Sequence, residues 1–249
     1  RRFRVSANGI VAVILDDARV TRIHLYDAAG NELVESETTM EQTGYPIDIS
    51  ISPSGELLAI SYFYVGSGSM KSSIAFHNFG EVGQNLSSDR FVSGYDYPGN
   101  VVPFLRFMNS DTVFAVSDDR IIFFSGNEKP LSAAENFLNE KVQGIFYSDQ
   151  YVGLVFLNTE GNGRYRLDIY DGTGSLVNSK GFDMDYTNII FDGDEYIIYS
   201  GTEYSINNVH GVERFTGKFD ETVYLFMPTQ KRNRFLMMTQ DAMQIMEMK

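Results

Sequence analysis

Histidines and carboxylates are the side chains here that could move protons or hold a metal, and their spacing decides which. His24, His77 and His210 lie far apart in the chain. A metal site needs three or four converging ligands. No two of these histidines share a helix or a short spacing, so each reads as a structural or surface residue. Carboxylates come in pairs: Asp16-Asp17, Asp118-Asp119, Asp183 with Asp185, Asp192 with Asp194, and Asp220-Glu221. Glycoside hydrolysis needs two carboxyls about 5 Å or about 6.5–9.5 Å apart, a distance that spacing alone does not supply. Solvated acidic turns produce the same pattern with no reaction. Asp192-Gly193-Asp194-Glu195 lacks the spaced bidentate glutamate of a calcium loop and reads as a β-turn. Gly66-Ser67-Gly68-Ser69 is followed by no helix and no Lys-Ser/Thr, so a phosphate cradle is not expected there.

The chain has no cysteine, hence no thiol nucleophile, thiolate metal site or disulfide. The methionine-rich end, MMTQDAMQIMEMK, alternates as a strand with adaptable core filler; a copper site would also want histidine or clustered methionine motifs. No catalytic residue, no metal ligand and no cofactor is called for. Tyrosine is the remaining group of interest. Tyr45, Tyr62, Tyr64, Tyr95, Tyr97, Tyr186 and Tyr204 fall where loops between repeated strands are expected, alongside acidic pairs. Tyrosine gives large amphipathic contact area at low entropic cost, which suits a binding face. The competing reading makes several of them core plugs at the ends of sheets.

The elements that position these residues repeat. Pro46 to Tyr62, PIDISISPSGELLAISY, reads as a strand, a tight Pro-Ser-Gly turn and a second, more apolar strand. Its turn corresponds to Ala7-Asn8-Gly9, Asn109-Ser110-Asp111, Ser148-Asp149-Gln150, Asp192-Gly193-Asp194 and the longer Pro228 to Asn233. All are rich in residues that tolerate turn dihedrals or bond their own backbone, and their period is about that of a four-stranded propeller blade. Each strand before the turn keeps two large apolar residues two apart: Phe3/Val5, Ile49/Ile51, Leu105/Phe107, Ile145/Tyr147, Ile189/Phe191 and Leu225/Met227. That spacing puts both on one face. The strand after the turn is almost wholly apolar, as a strand covered on both sides must be. Its third position is small at Ala12, Ala59, Ala115 and Gly153, which marks where neighbouring sheets come closest; Ile198 and Met237 break the rule.

Third strands follow at Thr21 to Tyr26, Ser72 to Phe76, Arg120 to Phe124, Arg164 to Tyr170, Tyr204 to Asn207 and Ala242 to Glu247. The words LYDAAGNELV and IYDGTGSLV turn into polar outer strands, with Gly30 and Gly174 supplying positive φ. Over residues 130–139 the Ser132/Glu135 capping box and Ala133-Ala134 favour helix, whereas the blade pattern demands an outer strand. Strand is the expectation, because sheet context overrides propensity.

The 249 residues can bury a large core as a single domain over 1–249. A net charge of −13 argues against nucleic acid and against an anionic membrane surface. Charged residues at 21% and aromatics at 14% exclude disorder. No apolar run reaches the roughly 20 residues of a membrane span. The chain opens Arg1-Arg2-Phe3 and its sixth unit stops after a third strand, so upstream sequence carrying an outer strand or further blades is expected.

ISPSGELLAIS and IYDGTGSLV resemble the β-propeller superfamily of WD-repeat and YVTN-type proteins. More narrowly, the chain resembles an uncharacterised propeller family of Gram-positive bacteria, usually membrane-anchored. Absence of Trp leaves sialidase-type Asp boxes and quinoprotein docking motifs unsupported. The Gly-His and Trp-Asp words of true WD repeats and the paired glycines of kelch blades are missing too. The resemblance implies an all-β propeller of four-stranded antiparallel blades, six visible, within a seven- or eight-bladed ring. It also implies an extracytoplasmic, cell-envelope location through an anchor outside this sequence. The expected function is non-catalytic binding or scaffolding with a protein or polysaccharide ligand. The alternative is a carboxylate-dependent hydrolase or lyase at the channel mouth, and a plain structural spacer is a third reading.

Overall fold

The computed structural model describes residues 2–17, 20–39, 44–66, 68–80, 90–159 and 161–248. Among them there are twenty-three strands and no helix. Alternating and apolar runs punctuated by Gly, Asn, Asp and Ser turns leave no stretch with a helical period. The strands form six antiparallel sheets, each a meander in chain order. These sheets are the blades of a β-propeller.

Two compact units divide them, one reaching Asn139 with Gly172–Gly174 added, the other comprising Glu140–Asp171 and the residues from Ser175 on. The first unit holds blade 1, with β1 (Arg2–Val5), β2 (Val11–Asp17), β3 (Val20–Tyr26) and β4 (Glu32–Thr39). Blade 2 follows as β5 (Tyr45–Ile51), β6 (Leu57–Gly66), β7 (Ser69–Asn78) and β8 (Phe91–Pro98). Blade 3 is β9 (Phe104–Phe107), β10 (Thr112–Val116), β11 (Arg120–Ser125) and β12 (Leu131–Phe137). Residues 131–137 are therefore strand. Pairing with β11 from Arg120↔Phe137 to Ser125↔Leu131 prevails over the local helix signal.

The second unit begins with blade 4, made of β13 (Val142–Tyr147), β14 (Tyr151–Leu157), β15 (Tyr165–Asp171) and β16 (Leu176–Phe182). Blade 5 is β17 (Asn188–Asp192), β18 (Glu195–Tyr199), β19 (Glu203–Asn208) and β20 (Glu213–Lys218). Blade 6 has three strands among the described residues, β21 (Leu225–Pro228), β22 (Arg234–Met238) and β23 (Met243–Glu247). First strands of successive blades are neighbours, β1 with β5, β5 with β9, and β13 with β17, so they form the inner edges.

Apolar layers hold the blades together. Ala12, Ile14, Ile23 and Leu25 of blade 1 meet Ile49, Ile51, Leu58 and Ile60 of blade 2. Ala59, Ile74 and Phe76 then meet Leu105, Phe107, Ala115 and Phe124 of blade 3, with the Phe76 and Phe124 rings edge-on at 5.1 Å. In the second unit, Val155, Leu167 and Ile169 meet Ile189, Phe191, Tyr196 and Ile198, and a further layer joins Ile197 and Tyr199 to Phe226 and Phe235. Each fully buried side chain of this size stabilises by about 1.5–3 kcal/mol. Gly153 is a point of closest approach, as its sequence position predicts: a Cβ there would lie 2.9 Å from Phe191 and 3.0 Å from Leu167. Gly30 and Gly174 both adopt φ +84°, as their turn words require.

The paired apolar positions do not all behave alike. Ile49 and Ile51 are 0% and 7% exposed, but their counterparts Phe3 and Val5 are 65% and 57% exposed. Arg2 and Arg4 of β1 point toward β5, so Phe3 and Val5 lie on the opposite face of the strand. In blade 6 the register is one residue off the sequence alignment. Phe226 packs toward blade 5, while Met227 on the other face is exposed.

Polar contacts tie the inner edges of the first unit. The Asp48 carboxylate on β5 accepts from Arg4 (3.0 Å) on β1, from Arg106 (2.6 Å) on β9 and from the Leu105 amide (3.0 Å). Its side chain is only 8% exposed, whereas those of Arg4 and Arg106 are 38% and 18% exposed. One buried anion thus links three blades, and Ser50 Oγ accepts the Phe107 amide beside it.

Candidate functional site

Strand length relocates most of the tyrosines. β6 and β7 run ten residues each, so Tyr62 and Tyr64 are paired strand residues opposite Ser73 and Lys71 rather than loop residues. Tyr45 lies in β5, Tyr95 and Tyr97 in β8, and Tyr204 in β19; of the seven, Tyr186 alone sits in a connection. Tyr62, Tyr97 and Tyr204 are buried core members, and Tyr45 is the exposed one. Burial, with the Glu135 carboxylate nearby, pushes the Tyr97 phenol well above its ordinary range. Tyr95 is stitched to blade 3, its hydroxyl accepting from the Ser132 amide at 3.1 Å. Tyr62, Tyr97 and Tyr204 thus sit as core plugs.

The other predicted groups are also dispersed. His24 is largely buried with Nδ1 2.6 Å from Glu32, His77 is buried against Phe79 and Phe91, and His210 is exposed. Asp118 accepts from the Val101 amide and Asn100, and Asp119 pairs with Arg120 at 2.8 Å. Asp194 accepts from the Tyr151 hydroxyl at 3.0 Å. The side chains of Asp16 and Asp17 lie outside the described residues.

Tyr186 does belong to a cluster. It meets Phe146, Tyr165 and Phe182 edge-on, with ring centroids 5.2–5.9 Å apart. Asp183 accepts the Arg164 amide, and Asp185 pairs with the Arg164 guanidinium at 2.7 Å. These contacts hold the β16–β17 connection beside a cleft of about 250 Å³ between blades 4 and 5. Phe182 and Met184, with Tyr196 and Ile198 of β18, line it with apolar surface. Glu203, Ser205 and Asn207 recur at every second residue of β19, so all three face the cleft, and Glu213 and Thr216 of β20 join them.

Charge inside the cleft is fixed by a short network. Lys180 Nζ donates to Asn207 Oδ1 at 2.9 Å and to the Gly211 carbonyl at 3.0 Å, and Asn207 Nδ2 donates to Ser205 Oγ at 2.8 Å. Burial, helped by the Glu213 carboxylate, pushes the Tyr196 phenol up to about 12, so it stays a neutral donor near pH 7. Among the described residues neither Glu203 nor Glu213 is ion-paired. The cleft offers carboxylate acceptors, hydroxyls, an amide and aromatic surface together. No local motif announces it, because its lining comes from five strands and one connection.

A family model described as a family of unknown function, DUF5711, matches residues 1–248. The chain belongs to this family. No curated protein matches the DUF5711 chain in sequence. Solved structures are similar at the level of fold. Kluyveromyces lactis Hsv2p aligns with TM-score 0.55 and 11% identity over 99% of this chain and 73% of its own. The Neurospora crassa Pan2 WD40 domain aligns with TM-score 0.52 and 8% identity over 95% and 71%. Dihydro-heme d1 dehydrogenase NirN aligns with TM-score 0.55 and 11% identity over 95% of this chain, which spans 50% of the NirN chain. At such identities the likeness is one of fold alone.

Proposed function

We propose that this DUF5711 chain is a non-catalytic binding propeller working outside the cytoplasm, and that the cleft between blades 4 and 5 takes a polyhydroxylated ligand, a saccharide unit of a larger glycan. The observation that carries the reading is the lining of that cleft. Unpaired Glu203 and Glu213 carboxylates accept from sugar hydroxyls, Asn207 and Thr216 add polar contacts, and Phe182 supplies an aromatic surface for the C–H face. A volume of about 250 Å³ suits one or two rings at the mouth of the cleft. The extracytoplasmic part rests on the resemblance to membrane-anchored propellers and is tested by protease digestion of intact cells, where protection of the chain would refute it.

The hydrolase or lyase alternative gains little from the inner edges. Asp48, the carboxylate where three blades converge, already accepts three hydrogen bonds and acts as a structural anion. For the binding reading, calorimetric titration with oligosaccharides chosen from a glycan array should show saturable binding. Glu203→Gln with Glu213→Gln should weaken it about tenfold or more, as loss of charge-assisted hydrogen bonds does. Turnover of the bound glycan, or binding of simple amines in its place, would overturn the proposal.

A further inference from the structure

The inner edges of the first unit carry a charge opposite to that of the molecule. β1 reads RFRV, β5 reads YPIDISI and β9 reads FLRF, so three arginines face one aspartate and two positive charges are left over. The whole chain has 33 acidic against 20 basic residues. A cationic surplus held on adjoining strands of so acidic a protein has to be maintained against the solubility trend of the surface.

Arg2 is exposed and Arg4 and Arg106 are partly so, and much of the donor capacity of the set is uncommitted. Arg2 donates from Nε to the Pro46 carbonyl at 3.1 Å, which leaves both terminal nitrogens of its guanidinium without a partner among the described residues. Arg4 uses one terminal nitrogen on Asp48 and the other on the Phe3 carbonyl. Arg106 lies over the Phe104 ring at 4.3 Å and spends one terminal nitrogen on Asp48. Each guanidinium has five donors, so most of the donor capacity of the three remains open. Asp48 orients Arg4 and Arg106 and does not neutralise the set.

We infer that Arg2, Arg4 and Arg106 on the inner edges of blades 1–3, the last two oriented by Asp48, form a binding site for a tetrahedral oxyanion dianion, a phosphate group. Two surplus charges match a phosphate, which carries about −1.5 to −2 at neutral pH. Guanidinium forks arriving from two different strands suit a tetrahedral anion with acceptors on every side. A monocarboxylate satisfies half of that charge. This site lies in a different unit from the saccharide cleft and stands or falls independently of it.

The test is calorimetry with the whole chain at low salt, titrating inorganic phosphate, phenyl phosphate and acetate separately. Phosphate binding should exceed acetate binding about tenfold, the ratio that one charge-assisted contact brings. Affinity should also rise with pH through the second ionisation near about pH 6. Equal binding of phenyl phosphate assigns the site to a phosphate carried on a larger molecule, whereas binding of the inorganic ion alone assigns it to free phosphate; both support the site. Arg2→Gln with Arg4→Gln should abolish binding while the far-UV spectrum stays unchanged. Arg106→Lys, which keeps the charge and removes the fork, should weaken binding should the double variant fail to fold. Absence of phosphate binding, or binding undiminished in these folded variants, overturns the inference.

Discussion

Replacing Asp48 with Asn isolates the tie between three blades. The amide keeps the volume, so no cavity forms, but it offers one acceptor oxygen and a donor NH2 where two oxygens accepted three hydrogen bonds, so the charge and at least one of those bonds are lost. Removing one partner of a fully buried ion pair costs about 3–5 kcal/mol. Arg4 and Arg106 reach water at 38% and 18% side-chain exposure, so part of that cost is recovered by rehydration. The expected loss is about 2–3 kcal/mol after this discount. At about 2–4 °C per kcal/mol for a chain of this size, Tm falls by about 4–12 °C. With no tryptophan as a probe, far-UV circular dichroism during urea unfolding is the assay. A cycle with Arg106→Gln should return a coupling of about 1 kcal/mol or more. A cost below about 0.5 kcal/mol for Asp48→Asn, typical of an ordinary surface change, would refute the reasoning.

Two glycines with the same φ should differ in what alanine costs. Gly30→Ala has open space around it and should lose about 1–2 kcal/mol from backbone strain alone, whereas at Gly174 the new Cβ would also lie 2.6 Å from Ala134, so its loss in a melting experiment should be larger. Gly153→Val should destabilise by about 1–3 kcal/mol through overpacking against Phe191 and Leu167, read from urea midpoints. Asp119 gives a pH signature. Hydrogen bonding from Arg120, with Ser117 and Asn100, holds its carboxyl down to about 2, so the unfolded chain takes up this proton first as pH falls. Its contribution is complete above the unfolded value near about 4 and vanishes below about 2. The stability gap between the parent and Asp119→Asn should therefore narrow over that interval in a series of melts.

Much of the fold was legible because hairpin turns and apolar strands are local signals. The turn words at Asn8-Gly9 and Gly193-Asp194 stand between β1 and β2 and between β17 and β18 as expected. The strand over 131–137 followed from the repeat even though its own residues favoured helix. Where strands end was less visible. Tyr62, Phe63, Tyr64 and Val65 are all good strand formers, so nothing in them distinguishes a loop from the extension of β6 to Gly66. The Asp48 network depends on partners 44 and 58 residues away, beyond any local window. One hint was available: Asp48 and Arg106 are charges set inside otherwise apolar inner strands, and a buried charge asks for a partner. The cleft between blades 4 and 5 left no such mark, since alternation in Glu203, Ser205 and Asn207 looks like any solvent-facing strand side.

The exposed apolar pair on β1 bears on how the protein behaves in a test tube. Phe3 and Val5 offer a flat, greasy strip, and strips of this kind find one another when molecules meet. Mutual repulsion at −13 keeps the molecules apart in dilute buffer. Added sodium chloride shortens the reach of that repulsion to about 3 Å at 1 M while leaving hydrophobic attraction intact. Light scattering should consequently climb with ionic strength, the reverse of the salting-in that a polar surface would give.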